Sequence, residues 1–150
     1  MSWLSLLGLP VVAFLVKALF DLGTGRTAER RELRRDGARV VTPVQETLRR
    51  LDPGAVAIGS AEQGRKFLRE THAQWQNGIR GQLCEYGNRH PSRCVQALAL
   101  ELAEAVDGSY VSTQWFFGAR DASAKPIAYE AAERQHAQAL ELSETLMAAI

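Results

Sequence analysis

From Trp3 to Phe20 the chain is apolar at almost every position, and Lys17 is its one charge. Leu4, Leu6, Leu7, Leu9, Val11, Val12, Phe14, Leu15 and Val16 leave a helix here with no polar face. That pattern belongs to a segment surrounded by apolar material on all sides. Eighteen residues at a helical rise of about 1.5 Å span about 27 Å, close to the hydrocarbon thickness of a bilayer. Lys17 lies one turn from the end, where its stem can reach the interface. Trp3 is placed like an interfacial anchor. Gly8 and Pro10 suit a membrane helix better than a water-exposed one. The stretch therefore predicts a transmembrane anchor. A cleaved export signal would need a positive start and a small-residue cleavage site, and "ALFDLGTG" offers none. A buried core helix at a chain terminus would normally keep a polar face.

Beyond the anchor the period changes to that of amphipathic helices. Gly23-Thr24-Gly25 reads as a hinge, and Thr27 as the cap of a helix starting at Ala28. Leu33, Gly37, Val41, Val44, Leu48 and Leu51 recur at three and four residues and form one face. Thr42-Pro43-Val44-Gln45 resembles a helix start, which predicts either one kinked helix or two collinear ones. Asp52-Pro53-Gly54 ends it, and "AVAIG" (55–59) is a connector. Ser60-Ala61-Glu62-Gln63 has capping-box form and opens a helix to about Tyr86, with Gly64, Phe67, Leu68, Thr71, Trp75, Ile79 and Leu83 inward. Asn77-Gly78 and Gly81 weaken it and predict a kink. After the "YGNRHP" turn, Val95, Leu98, Leu102 and Val106 line a helix expected to stop at Asp107-Gly108. "SYVSTQWFFG" (109–118) is read as a helical turn or short helix, because a lone strand would have no partner. The last helix is expected from Ile127 to Ala149, with Ala131, Gln135, Ala139, Leu142 and Leu146 inward. The expected fold is all-α: an N-terminal transmembrane helix, then an antiparallel bundle of about four helices. Its parts are an anchor and hinge (1–25), a basic juxtamembrane helix and connector (26–57) and a helical bundle (58–150).

Charge adds an orientation. The 150-residue chain carries a net charge of only +1, but unevenly. Gly23 to Leu51 holds eight arginines against four acids, and Glu101 to the end holds three basic residues against eight acidic ones. Arg26, Arg30, Arg31, Arg34, Arg35 and Arg39 follow the apolar run directly. Positive flanks stay in the cytoplasm, so the N-terminus is expected outside and the bulk inside, as a single-pass protein of the inner (plasma) membrane. Trp3, Lys17, Arg26, Arg30, Arg31, Arg34 and Arg35 are the expected membrane-interface residues, with the lipid bilayer as a partner. Glu29, Glu32 and Asp36 interrupt the arginines and argue against a nucleic-acid partner.

The chemistry-bearing residues do not assemble into a recognisable active site. Cys84 and Cys94 flank the "YGNRHP" turn at matching distances. In an oxidising compartment they would pair as a disulfide; in the cytoplasm they stay thiols packed as small hydrophobes. Cys84, His90 and Cys94, with His72 as a fourth ligand, have the donor types zinc takes, but the spacing matches no common zinc pattern. His72, beside the Leu68–Trp75 face, reads as a packing histidine and His136 as an exposed one. Glu133-Arg134-Gln135-His136 fits E-x-x-H, yet a di-iron bundle needs a second copy and none exists. Phosphate-loop, dinucleotide and zincin motifs are absent from the sequence. No catalytic residue, cofactor or metal is assigned. Trp115, Phe116 and Phe117 are the candidate partner-binding residues. The reading is a membrane-tethered, non-catalytic helical interaction or scaffold module that binds another protein or itself. The alternatives are a small bilayer-acting protein of pore-forming or toxin-like type, and a metal-binding enzyme using Cys84, His90 and Cys94.

Overall fold

A computed structural model describes the backbone of residues 8–150 and the side chains of residues 27–150. Its elements are α1 (Gly8–Leu51), α2 (Pro53–Val56), α3 (Ala61–Gln74), a π turn (Trp75–Ile79), α4 (Arg80–Arg89), α5 (Arg93–Gly118) and α6 (Ala124–Ala149). The described part is all-α, about five helices packed as a bundle. The chain divides into two units, one ending at Arg35 and the other running from Asp36 to Ile150. Among the described residues the buried core lies in the second. Among the described residues no helix is long and apolar enough to cross a membrane. The anchor read at Trp3–Phe20 lies outside the residues whose side chains are described.

The apolar face read on α1 is the face that is buried. Val41, Val44, Leu48 and Leu51 are fully enclosed. Truncating one such leucine to alanine costs about 2–5 kcal/mol in a packed core. The helix runs through Gly23–Gly25 and through Pro43 without a break. Pro43 has no N–H to give the turn before it. The hydroxyls of Thr42 and Thr47 donate to Ala38 O at 2.8 Å and Pro43 O at 2.9 Å on either side.

Asp52 then caps α2 by accepting from Gly54 N at 3.0 Å, with Pro53 at the first helical position. Gly59, at φ 117°, makes the reversal that a side chain would resist. Ser60 and Gln63 form the expected capping box at the start of α3, with reciprocal contacts of 3.2 and 3.3 Å.

The four long elements of the second unit run antiparallel to their neighbours. Along α5 and α6, Gly108 meets Gln135 and Phe116 packs edge-on against Tyr129, so one number rises as the other falls. Along α3 and α5, Gly64 meets Phe117 and Trp75 bonds Asp107. Along α1 and the α3–α4 arm, Gly37 meets Tyr86 and Arg50 bonds Gln74. Gly87 of α4 lets its helix come so near α5 that an added Cβ would lie 2.7 Å from Ala99 Cβ.

Several expectations need correction. The helix opened at Pro91 does not stop at Asp107-Gly108; α5 continues to Gly118 and takes in all of "SYVSTQWFFG". Asp107 is engaged by side chains from another helix instead of by its own backbone, and Gly108 makes room for Gln135. Phe67, expected inward, is 42% exposed. The inward face of α6 is rotated from the expected one. Ala128, Ala132, His136, Ala139, Ser143 and Leu146 are buried, and Leu142 sits at the core's edge. Close helix approach selects small side chains, whereas hydropathy favours Leu142 over Ser143. His136, expected at the surface, is 8% exposed. The α5–α6 register puts it level with Ser109, and neither His136 Nδ1 nor Ser109 Oγ has a hydrogen-bond partner. Cys94, expected to pack as a small hydrophobe, is exposed, while Cys84 is half-buried; both are free thiols.

Candidate functional site

The most connected polar cluster forms where α3 passes into α4. Trp75-Gln76-Asn77-Gly78-Ile79 adopts a π turn closed by Arg80 N–H donating to Trp75 O. Asn77 and Gly78 are weak α-formers, so the local cost of leaving α geometry is low. In an α-helix, residues five apart point about 140° away from each other. The wider π turn brings them onto one side, and such turns occur often at functional positions. Here it aligns Trp75 and Arg80, and both reach Asp107 of α5. Trp75 Nε1 donates to Asp107 Oδ1 at 2.7 Å and Arg80 Nε donates to Oδ2 at 2.9 Å. Gln76 Nε2 adds a third bond to Oδ1 at 3.1 Å.

Electrostatics follow the geometry. The hydrogen bond to Asp107, and then its charge, hold the Arg80 guanidinium in its protonated form even more firmly than usual. Gln76 Nε2 also lies 3.2 Å from His72 Nε2. An amide nitrogen only donates, so the imidazole Nε2 is the accepting atom. The His72 ring stacks flat on Tyr110, with centroids 3.7 Å apart and planes 4° apart. Burial pushes the His72 pKa below 6.5, and the Asp107 charge opposes that only in part. The lowered pKa favours the neutral ring, which is the form that accepts from Gln76. Both carboxylate oxygens of Asp107 are taken by donors and His72 Nε2 by an amide. That arrangement suits fastening α3 and α4 to α5 better than moving protons.

By sequence alone Asp107 has the form of a helix stop and His72 that of a packing residue, and nothing connects Arg80 to either. The signals present were an aspartate within a long apolar helix, and a Trp and an Arg five apart across Asn-Gly. Neither names its partner, which lies about thirty residues away.

The residues singled out from sequence fare differently. The aromatic triplet is split into two that pack and one that faces out. Trp115 is 50% exposed. Phe116 packs edge-on against Tyr129 and Phe117, at 5.3 and 5.1 Å. Phe117 fills the space over Gly64. Arg30, Arg31, Arg34 and Arg35 are exposed, while Trp3, Lys17 and Arg26 lie outside the residues whose side chains are described. Cys84, His90 and Cys94 are not gathered: among the described residues no group of three or more His, Cys, Asp or Glu is placed to hold a metal ion. His90 is buried, its Nδ1 accepts from Ser92 N at 3.1 Å and its carbonyl accepts from Gln96 Nε2 at 2.8 Å.

Comparison with protein-family models, with curated proteins and with solved structures finds no match for this chain.

Proposed function

We propose that this chain is a helical interaction module, tethered to the inner membrane by its apolar N-terminal segment. Its bulk lies in the cytoplasm, and it binds another protein, or another copy of itself, through the outward side of α5. The observation that carries this reading is a strip of large apolar side chains on that side. Leu100, Val111 and Trp115 are each half or more exposed. At about 100° per residue they fall within about 60° of one another; Val111 and Trp115 are one turn apart, and Glu104 and Asp107 lie on the same side between them and Leu100. A single exposed leucine is ordinary, but an aligned set marks a contact surface. The neighbouring Phe116 and Phe117 are half-buried and pack on Tyr129 and over Gly64, which leaves Trp115 as the exposed member of the triplet. The apolar run and the arginines behind it support the tether and its orientation.

The test places a photo-crosslinking residue at Leu100, Val111 or Trp115 of the full chain in cells, with exposed Glu130 as control. Adducts from the three strip positions and none from Glu130 are expected, with the chain in a carbonate-resistant membrane fraction. Equal labelling at Glu130, or no adduct from the strip, refutes the contact surface. Release of the chain by carbonate refutes the tether.

A further inference from the structure

We propose that a second surface, the groove between the end of α1, α2 and the start of α3, captures an acidic amphipathic segment of a partner protein. This deepens the reading of the chain as an interaction module but does not depend on the α5 strip. The groove is open to solvent on one side and has a volume of about 400 Å³. Arg49, Arg50, Val56, Ile58 and Phe67 line it. Ile58 is 85% exposed and Phe67 42% exposed, which leaves two large apolar side chains facing one opening.

The charge of the walls chooses the occupant. Arg50 is steadied by Glu46 at 3.1 Å and by Gln74 Oε1 at 3.1 Å. Arg49 beside it has no ion-pair partner among the described residues. The adjoining outer face of α3 carries Arg65, Lys66 and Arg69 against Glu62 and Glu70, so the surroundings are also cationic. A guanidinium beside apolar side chains matches a carboxylate beside leucine or phenylalanine, because the planar fork takes both carboxylate oxygens at once. A basic segment would be repelled. A small free acid would leave Ile58 uncovered, whereas a peptide laid across the groove covers Ile58 and Phe67 together.

The probe is a short fluorescein-labelled helical peptide with leucines on one face and glutamates beside them, titrated into the purified full chain in detergent. Control peptides carry glutamine or lysine in place of glutamate. Anisotropy is expected to show binding of the glutamate peptide, with the glutamine peptide about tenfold weaker and the lysine peptide weaker still. Arg49→Glu and Ile58→Asp should each weaken the glutamate peptide at least about tenfold, and added salt should reduce its affinity. Both positions are exposed, and circular dichroism on each variant checks the fold. Phe67→Ser provides a third, independent loss. No binding, equal binding of the glutamate and glutamine peptides, or indifference to Arg49→Glu overturns the proposal. Trp115→Ala should leave the titration unchanged. Loss of crosslinks at the α5 strip with this titration intact would refute that strip alone. The reverse pattern would refute the groove alone.

Discussion

Asp107→Ala is the sharpest test of how the π turn is held. The substitution removes the acceptor for three donors: Trp75 Nε1, Gln76 Nε2 and Arg80 Nε. These do not count equally. The Trp75 side chain is wholly enclosed, so its N–H is left without a partner at a cost of about 1–3 kcal/mol. Arg80 and Asp107 are 37% and 29% exposed, so Arg80 can turn to water and its ion pair contributes only about 0.5–1 kcal/mol. Alanine returns up to about 0.7 kcal/mol through its better helix propensity. The net loss expected is about 1–3 kcal/mol, which moves a urea midpoint down by about 1 M. Asp107→Asn keeps one acceptor for the indole and should cost less than alanine. The assay is urea unfolding followed by circular dichroism, joined to hydrogen exchange across residues 75–80. Loss of the clamp should speed exchange of the Arg80 amide, whose acceptor is Trp75 O across the π turn. A double-mutant cycle with Trp75→Phe separates the indole bond from the rest. If Asp107→Ala costs under about 0.5 kcal/mol, the side chain is not a fastening. Unchanged exchange across the turn would show that the π geometry stands without it.

Two further expectations concern protonation and close approach. Burial holds the pKa of His136 below 6.5, with the Asp52 charge opposing it, and burial does the same to His72 against Asp107. The unfolded chain therefore binds these protons first, so stability is full above pH 6.5 and falls as pH drops through 6.5 towards the folded values. The melting temperature should be lower at pH 5.5 than at pH 7.5, and His136→Leu should flatten that slope; a slope unchanged by His136→Leu would refute the assignment. Gly87 and Gly81 both lie in α4 but should respond with opposite signs to alanine. A Cβ at Gly87 would lie 2.7 Å from Ala99 Cβ, whereas one at Gly81 meets nothing within 4 Å. Gly87→Ala should destabilise by about 1–3 kcal/mol and be relieved by Ala99→Gly, while Gly81→Ala should stabilise by about 0.5–1 kcal/mol. Equal signs in thermal melts would disprove the close packing of α4 on α5.

Much of the local structure could be read from residues near one another in the chain. The face of Val41, Val44, Leu48 and Leu51 is buried as its period requires, and Ser60 with Gln63 caps α3. Leu68, Thr71, Trp75 and Leu83 point inward as expected. The weak spot around Asn77-Gly78 was visible too, although its form, a π turn, was not. The candidate site was much less legible. Asp107-Gly108 has the composition of a helix end, yet α5 runs on to Gly118, with Val106, Ser109 and Tyr110 buried on either side and Trp75 and Arg80 bonded to the Asp107 carboxylate. His136 has polar neighbours in sequence, yet the α5–α6 contact encloses it.

The sequence by itself determined that the chain is helical, where most helices begin, and which side of α1 and α3 avoids water. Those properties depend on backbone propensity, capping and a period of three to four residues, all local interactions. The tertiary structure alone decided that α5 is one unbroken helix, that α6 turns its small residues inward, and that one carboxylate binds both ends of a π turn. It also split three adjacent aromatics into two that pack and one that faces out. Each of these depends on which distant surface comes within bonding distance, and hydropathy along a chain carries no record of that.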